Sequence, residues 1–195
     1  MEVAIIDYGA GNIKSLQFAL ERLGVTGHLT ADPEQIKNAD KVIFPGQGAA
    51  QSAMVKLKTH GLDVIIPQLK QPVLGICLGM QLLCDYTEEG GVNGLGIIQG
   101  KVRRFSDQVK VPQMGWNTIS ETQTALFQRI KDHEFMYLVH SYFVPLLPET
   151  IAVSTYNQAY SVALQKDNFY GVQFHPEKSS KAGQQLLKNF LNLTT

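Results

Sequence analysis

The first half of the sequence alternates short apolar runs with segments in which apolar residues recur every three or four positions. Continuous runs are typical of buried strands, and the recurring pattern is typical of amphipathic helices. Strands are predicted at residues 3–6, 25–29, 42–44 and 73–76. Helices are predicted at residues 13–23, from residue 32 onward, and at residues 49–69 and 78–86. Such alternation predicts a parallel sheet covered by helices.

After the glycine-rich residues 90–96 the pattern changes to a succession of strands. These are predicted at residues 97–105, 111–117, 135–144, 151–156, 161–165 and 169–174. A final helix with one apolar face is predicted at residues 180–193. The pattern therefore predicts an α/β fold with a mostly parallel central sheet and a strand-rich second half. Because no linker or repeat divides the 195 residues, we expect one domain spanning residues 1–195.

Composition and charge argue against several classes of function. The 17 lysines and arginines balance the 17 aspartates and glutamates, which argues against a nucleic-acid partner. No segment approaches the roughly 20 apolar residues of a membrane span, and the start lacks the basic region of a signal peptide. The two cysteines have neither disulfide-framework nor zinc-site spacing, so we expect no structural metal and a reducing, cytoplasmic location.

Cys77 is the candidate nucleophile. It lies between Gly75 and Gly79 where a predicted strand meets a predicted helix, as the serine does in a nucleophile elbow. The start of the helix favours the thiolate through its dipole and free amides. The ordinary alternative is a small buried hydrophobic residue, which is how we interpret Cys84.

His175 is the candidate general base and acid. It follows an apolar strand, and its imidazole titrates in the range that thiol chemistry requires. Glu177, two residues later, could accept the other ring N–H and orient the imidazole. Alone, this pair could instead be a capped strand end with a solvated carboxylate. His140, inside an apolar strand, is interpreted as a hydrogen-bonded structural histidine.

Candidate oxyanion donors follow another predicted strand. Gly46 and Gly48 flank Gln47, and glycines there can expose backbone amides to a tetrahedral intermediate. Leu78, directly after the nucleophile, could donate a second amide. An ordinary glycine turn is the alternative.

Residues 75–81 and 174–179 together resemble the nucleophile and His/Glu motifs of class I (triad) glutamine amidotransferases. The resemblance implies a flavodoxin-like, three-layer α/β fold and no cofactor. It also implies a glutamyl thioester on Cys77, proton transfer by His175, and ammonia that passes to an acceptor without entering bulk water.

Residues 7–12, 45–48, 112–117 and 139–142 resemble one branch of that family, in which a separate (β/α)8-barrel cyclase subunit forms a heterodimer and uses the ammonia. This resemblance places Gln81 and Glu89 at the amino-acid end of glutamine, with the backbone of Ser141 and Tyr142. It assigns the partner interface to a further set of residues: Asn12, Trp116 and Lys178. Gln47 departs from the family pattern, which usually has a small apolar residue there.

Several alternatives stay open at this point. Gln81 and Glu89 could be ordinary exposed residues, and Trp116 could be core. The chain could serve another pathway, such as pyridoxal phosphate or guanylate synthesis, although residues 114–117 favour the cyclase branch. It could also be a non-catalytic scaffold or sensor that retains the fold.

Overall fold

The computed structural model describes residues 1–9 and 13–194. In the first half the strands are β1 (Val3–Ile6), β2 (Gly27–Thr30), β3 (Lys41–Gly46) and β4 (Val73–Cys77). The helices between and after them are α1 (Lys14–Glu21), α2 (Pro33–Asn38), α3 (Ala50–Thr59), α4 (Leu62–Ile65) and α5 (Leu78–Leu82), with a 3-10 helix at Ile66–Gln68. The predicted alternation of strand and helix is confirmed.

The second half is rich in strands, as predicted. They are β5 (Cys84–Thr87), β6 (Val92–Asn93), β7 (Ile98–Arg104), β8 (Gln113–Ile119), β9 (Glu134–His140), β10 (Tyr142–Phe143), β11 (Thr150–Tyr156), β12 (Gln158–Lys166) and β13 (Phe169–Val172). Short 3-10 helices lie at Ala125–Phe127 and Pro176–Lys178, and α6 (Ser180–Leu191) ends the fold.

Seven strands form the central sheet, in the order β11-β12-β13-β4-β3-β1-β2. The pairs from β13 to β2 are parallel, whereas β11 and β12 extend the sheet as antiparallel strands. A four-stranded sheet, β10-β7-β5-β6, and the two-stranded ribbon β8-β9 flank it. The predicted mostly parallel central sheet is therefore confirmed.

Alternating side chains of the central strands pack into two separate layers. In β1, Val3 and Ile5 face a core that contains residues of α1, α6 and the β8-β9 ribbon. Ala4 and Ile6 face the opposite core, which contains residues of α2, α3, α4 and α5. Because consecutive residues of a strand point to opposite faces, a continuous apolar run is what a sheet buried on both sides requires. This gives the three layers that the family resemblance implies.

Two predicted helices have the wrong extent. The helix at 78–86 ends at Leu82, and Cys84 begins β5, which pairs with β7. The predicted helix at 49–69 is broken at Gly61, whose φ is 66°, so that α4 starts again after it. The apolar residues around Cys84 fit the spacing of a helix as well as that of a strand, and the pairing of β5 with β7 makes the segment a strand.

The predicted strand at 135–144 is also divided. β9 ends at His140 and pairs with β8, whereas β10 starts at Tyr142 and pairs with β7. Ser141 lies at the change of sheet. In the part of the chain that the structure describes, no helix is long and apolar enough to cross a membrane.

Candidate active site

Cys77 stands at a sharp turn between β4 and α5. Its backbone has φ 54° and ψ −111°, a conformation that L-residues rarely adopt. The turn depends on Gly79, because a Cβ there would overlap the carbonyl oxygen of Phe44 in β3. Gly79 thus allows α5 to start directly against β3. The sequence prediction that flanking glycines relieve crowding at this residue is consistent with this packing.

His175 reaches Cys77 because β13 lies beside β4 in parallel, with Val172 opposite Ile76. The His175 Nδ1 atom lies 2.8 Å from Glu177 Oε1, and both side chains are almost completely buried. Since a carboxylate can only accept, Nδ1 is the donor, and the other ring nitrogen is left for its hydrogen bond with Cys77. Sulfur, imidazole and carboxylate therefore form one connected triad.

The triad stabilises the charged form of the imidazole. Burial of His175 by itself lowers its pKa, but hydrogen bonds to Cys77 and Glu177 and their negative charges outweigh burial and raise the pKa to about 10. At neutral pH His175 is consequently an imidazolium. A ring in this form holds the proton that a leaving group needs.

Removing the sulfur should lower the pKa of His175. In Cys77→Ala the hydrogen bond and the electrostatic effect of Cys77 are lost while burial persists, so the ring should become neutral at a lower pH than in the wild-type chain. NMR titration of the imidazole nitrogens in both proteins measures this. Equal pKa values would show that Cys77 and His175 do not interact.

The triad opens into a pocket of about 400 Å³. Most of the predicted substrate-binding residues line it: Gly48, Leu78, Gln81, Glu89, Ser141 and Tyr142. Gly46 pairs with Cys77 in the sheet and lines a small neighbouring cavity with His175 and Glu177. The pocket is within the size range of small-molecule sites.

The three predicted interface residues have different positions. Lys178 is exposed and lies at the pocket rim, whereas Trp116 is exposed on the outer face of β8, outside the pocket. The alternative that Trp116 is core is therefore wrong. Asn12 lies outside the described residues.

Gln81 is buried, not exposed, and its side-chain amide connects the pocket wall, through Gln173, to the Cys77 sulfur. Its Nε2 donates to the Tyr142 carbonyl at 3.0 Å and to Gln173 Oε1 at 2.9 Å. Gln173 Nε2 in turn lies 3.7 Å from the Cys77 sulfur. Sequence reasoning missed Gln173. The only signal for it was a polar residue within the apolar run before His175, a position where burial demands a polar partner.

Glu89 lines the pocket and also caps a helix. One carboxylate oxygen accepts from the amide of Ala50, the first residue of α3, at 3.0 Å. Partial burial raises the pKa of Glu89, and the hydrogen bond from Ala50 opposes the rise. Glu89 is therefore positioned both to receive a cationic group and to fix the start of α3.

His140 is a neutral structural residue, as its sequence context predicts. Its Nδ1 donates to the Tyr142 carbonyl at 2.7 Å, and Nε2 lies 3.4 Å from the Tyr160 hydroxyl. Burial lowers the pKa of His140 to about 4. A ring that stays neutral near pH 7 fixes the backbone of the pocket wall through its hydrogen bond to the Tyr142 carbonyl.

This fold and this site define a class I glutamine amidotransferase. The model of the family described as glutamine amidotransferase class-I matches residues 4–193, and the chain belongs to that family. The resemblance seen in the sequence motifs is confirmed.

Curated relatives give a narrower comparison. Imidazole glycerol phosphate synthase subunit HisH of Bacteroides fragilis (strain YCH46) is 54% identical over 196 residues, covering 99% of this chain and 100% of the relative. The protein of the same name from Yersinia pseudotuberculosis is 45% identical, with the same coverage. Among solved structures, a glutamine amidotransferase from Thermotoga maritima has a TM-score of 0.68 at 17% identity, covering 98% of this chain and 83% of that one. This last likeness shows the fold alone.

Proposed function

We propose that this chain is the glutaminase subunit of an imidazole glycerol phosphate synthase, which supplies ammonia for histidine biosynthesis. The observation that carries the proposal is the connected triad of Cys77, His175 and Glu177 at the strained turn. Full-length relatives named as that subunit support the pathway.

The first half of the reaction forms a thioester. The Cys77 thiolate attacks the side-chain carbonyl carbon of glutamine, and the carbonyl electrons move to oxygen. When the tetrahedral intermediate collapses, the C–N bond breaks and the His175 imidazolium gives its proton to the leaving nitrogen, which departs as ammonia. Glu177 keeps the ring oriented through Nδ1 during this transfer.

The second half regenerates the enzyme. His175, now neutral, removes a proton from water as the water oxygen attacks the glutamyl thioester. Collapse breaks the C–S bond, releases glutamate and returns the sulfur to the thiolate. Net consumption is one water per glutamine.

We assign the negative oxygen to two groups of backbone amides, one on each side of Cys77 in the fold. Leu78 follows Cys77 at the start of α5, and the segment 46–48 lies beside the nucleophile because Gly46 pairs with Cys77. Backbone N–H groups at such positions stabilise the oxyanion more than the ground-state carbonyl. Glu89, Gln81 and the backbone at residues 141 and 142 then hold the amino-acid end of glutamine.

The acceptor chemistry belongs to a partner chain. We propose a (β/α)8-barrel cyclase subunit in a heterodimer, which combines ammonia with a phosphoribulosyl-formimino intermediate. The products are imidazole glycerol phosphate and an aminoimidazole carboxamide nucleotide. Because the catalytic thiol must stay reduced, we place the pair in the cytoplasm.

An exposed apolar surface supports the partner site. The outer face of the ribbon, here called the β8-β9 face, consists of Met114, Trp116 and Phe135, which are 66%, 52% and 54% exposed. Trp116 also contacts the ring of Tyr137 with 6.0 Å between centroids. Large apolar and aromatic side chains of this kind are typical anchors of interfaces.

Replacing Trp116 by alanine should weaken cyclase binding by roughly 30-fold or more, the effect of losing an interface anchor of about 2 kcal/mol. Calorimetric titration of the chain with the cyclase measures the change. Val64→Ala is the matched control, since Val64 is 58% exposed on α4 and distant in sequence from the ribbon. Equal affinities for wild type and Trp116→Ala would refute this interface.

Reconstitution tests the function itself. Glutamate release by the chain should be measured alone, with cyclase, and with cyclase plus an acceptor analogue, while synthesis from glutamine is followed in parallel. Glutamine-dependent synthesis would support the proposal. Capture of a pyridoxal phosphate or guanylate enzyme in place of the cyclase would assign the chain to another pathway, and no glutamate release under any condition would indicate a scaffold.

A further inference from the structure

The end of β3 is supported unequally on its two sides. β1 pairs with β3 only as far as Ile43, whereas β4 continues to pair until Gly46 lies opposite Cys77. The last residues of β3 therefore have a neighbouring strand on one side only. These residues lead directly into the segment 46–48, whose backbone amides we propose stabilise the oxyanion.

The Tyr8 side chain occupies the side that β1 leaves open. Its hydroxyl donates to the Pro45 carbonyl at 2.8 Å in a buried environment, and its ring packs on Phe44 with 5.6 Å between centroids. Proline has no N–H, so this carbonyl is the only backbone hydrogen-bonding group of Pro45. Burial, and secondarily the charge of Cys77, raise the pKa of Tyr8, so the hydroxyl remains a donor throughout the physiological range.

The hydrogen bond fixes the peptide that precedes the oxyanion segment. With the Pro45 carbonyl held by Tyr8, the peptide between Pro45 and Gly46 cannot rotate without leaving that oxygen buried and unpaired. On its other side Gly46 lies so close to the backbone of Leu78 and Gly79 that a Cβ would not fit. Beyond it, residues 47 and 48 are exposed at the pocket.

We propose that Tyr8 is a positioning residue for the glutaminase reaction: its hydroxyl holds the peptide between Pro45 and Gly46 so that the following amides meet the oxyanion formed at Cys77. This role rests on the proposed function, and it differs from thiol activation. Tyr8 acts on the acyl-transfer step, in which an oxyanion forms, and has no part in making the thiolate.

Two reactions of the Cys77 sulfur distinguish positioning of the oxyanion segment from activation of the thiol. In the complex with cyclase, Tyr8→Phe should lower single-turnover release of glutamate by roughly 10-fold, the effect of one lost hydrogen bond, with KM changed less than about twofold. Alkylation of Cys77 by iodoacetamide forms no oxyanion, and its rate should stay within about twofold of wild type. The phenylalanine ring retains the contact with Phe44, so the variant should fold.

Tyr156→Phe is the matched control, because that hydroxyl also donates to a backbone carbonyl, Lys110, at 2.8 Å. It should leave both rates near wild type. Unchanged glutamate release in Tyr8→Phe, or an equal fall in both reactions, would overturn the role of Tyr8 and would leave the proposed function standing. A wild-type complex that releases no glutamate would refute the proposed function and this role with it.

Discussion

Glutamine hydrolysis should fall by at least about 10⁴-fold when Cys77 is replaced by serine. The serine oxygen would occupy nearly the same place at the turn, yet a serine hydroxyl stays protonated at neutral pH and is a much weaker nucleophile than a cysteine sulfur. Glutamate release in the presence of the cyclase measures the loss. Folding should be retained, because the substitution changes one atom of a buried side chain.

Cys84→Ala provides the control for that experiment. Burial raises the pKa of Cys84 to about 12, so its thiol is inert at neutral pH. The variant should keep its glutaminase activity, and iodoacetamide should label its remaining cysteine at the wild-type rate. Equal labelling of Cys77 and Cys84 in the wild-type chain would contradict an activated nucleophile and would favour a non-catalytic scaffold.

Replacing Gly79 by alanine should be severely destabilising, by about 3 kcal/mol or more. The new methyl group would overlap the Phe44 carbonyl oxygen, a backbone atom of a central strand that cannot move without displacing β3. Any relaxation that moves α5 would also open the turn at Cys77, so activity should fall with stability. Urea unfolding and glutamate release measure the two effects.

Gly100→Ala is a suitable comparison for Gly79→Ala. The three atoms nearest to a Cβ at Gly100 would all belong to the side chain of Leu147, which can change rotamer. We therefore expect less than about 1 kcal/mol for this substitution. A loss at Gly79 no larger than the loss at Gly100 would show that the elbow tolerates a side chain and that the packing described for α5 is wrong.

The parallel part of the fold was predictable because its strands are buried on both faces. Val3–Ile6 is apolar at every position, and only a sheet with helices on both sides requires such a run. The region after Leu82 was not predictable in the same way. Its apolar residues continue the helical pattern, and the pairing of Cys84 with Ile98 that makes β5 is a contact between residues distant in the sequence.

The residues of the site were also only partly predictable from the sequence. Cys77 and His175 could be identified because each stands where an apolar strand ends, and the carboxyl ends of parallel strands meet at one edge. Gln173 and Tyr8 were missed, since their importance comes from contacts across the sheet, with Cys77 and Pro45 respectively. Neither residue has a distinctive local spacing.

β9 runs from the β8-β9 face, where a partner would bind, to the pocket beside Cys77, where a substrate would bind. Phe135 is on the outer face, and four residues later the Val139 carbonyl lies 3.8 Å from the reactive sulfur. A partner that shifts β9 would also shift the atoms around the Cys77 sulfur, and linkage requires the reverse effect to be equal in free energy. The dissociation constant of the heterodimer would then report whether Cys77 is free or acylated.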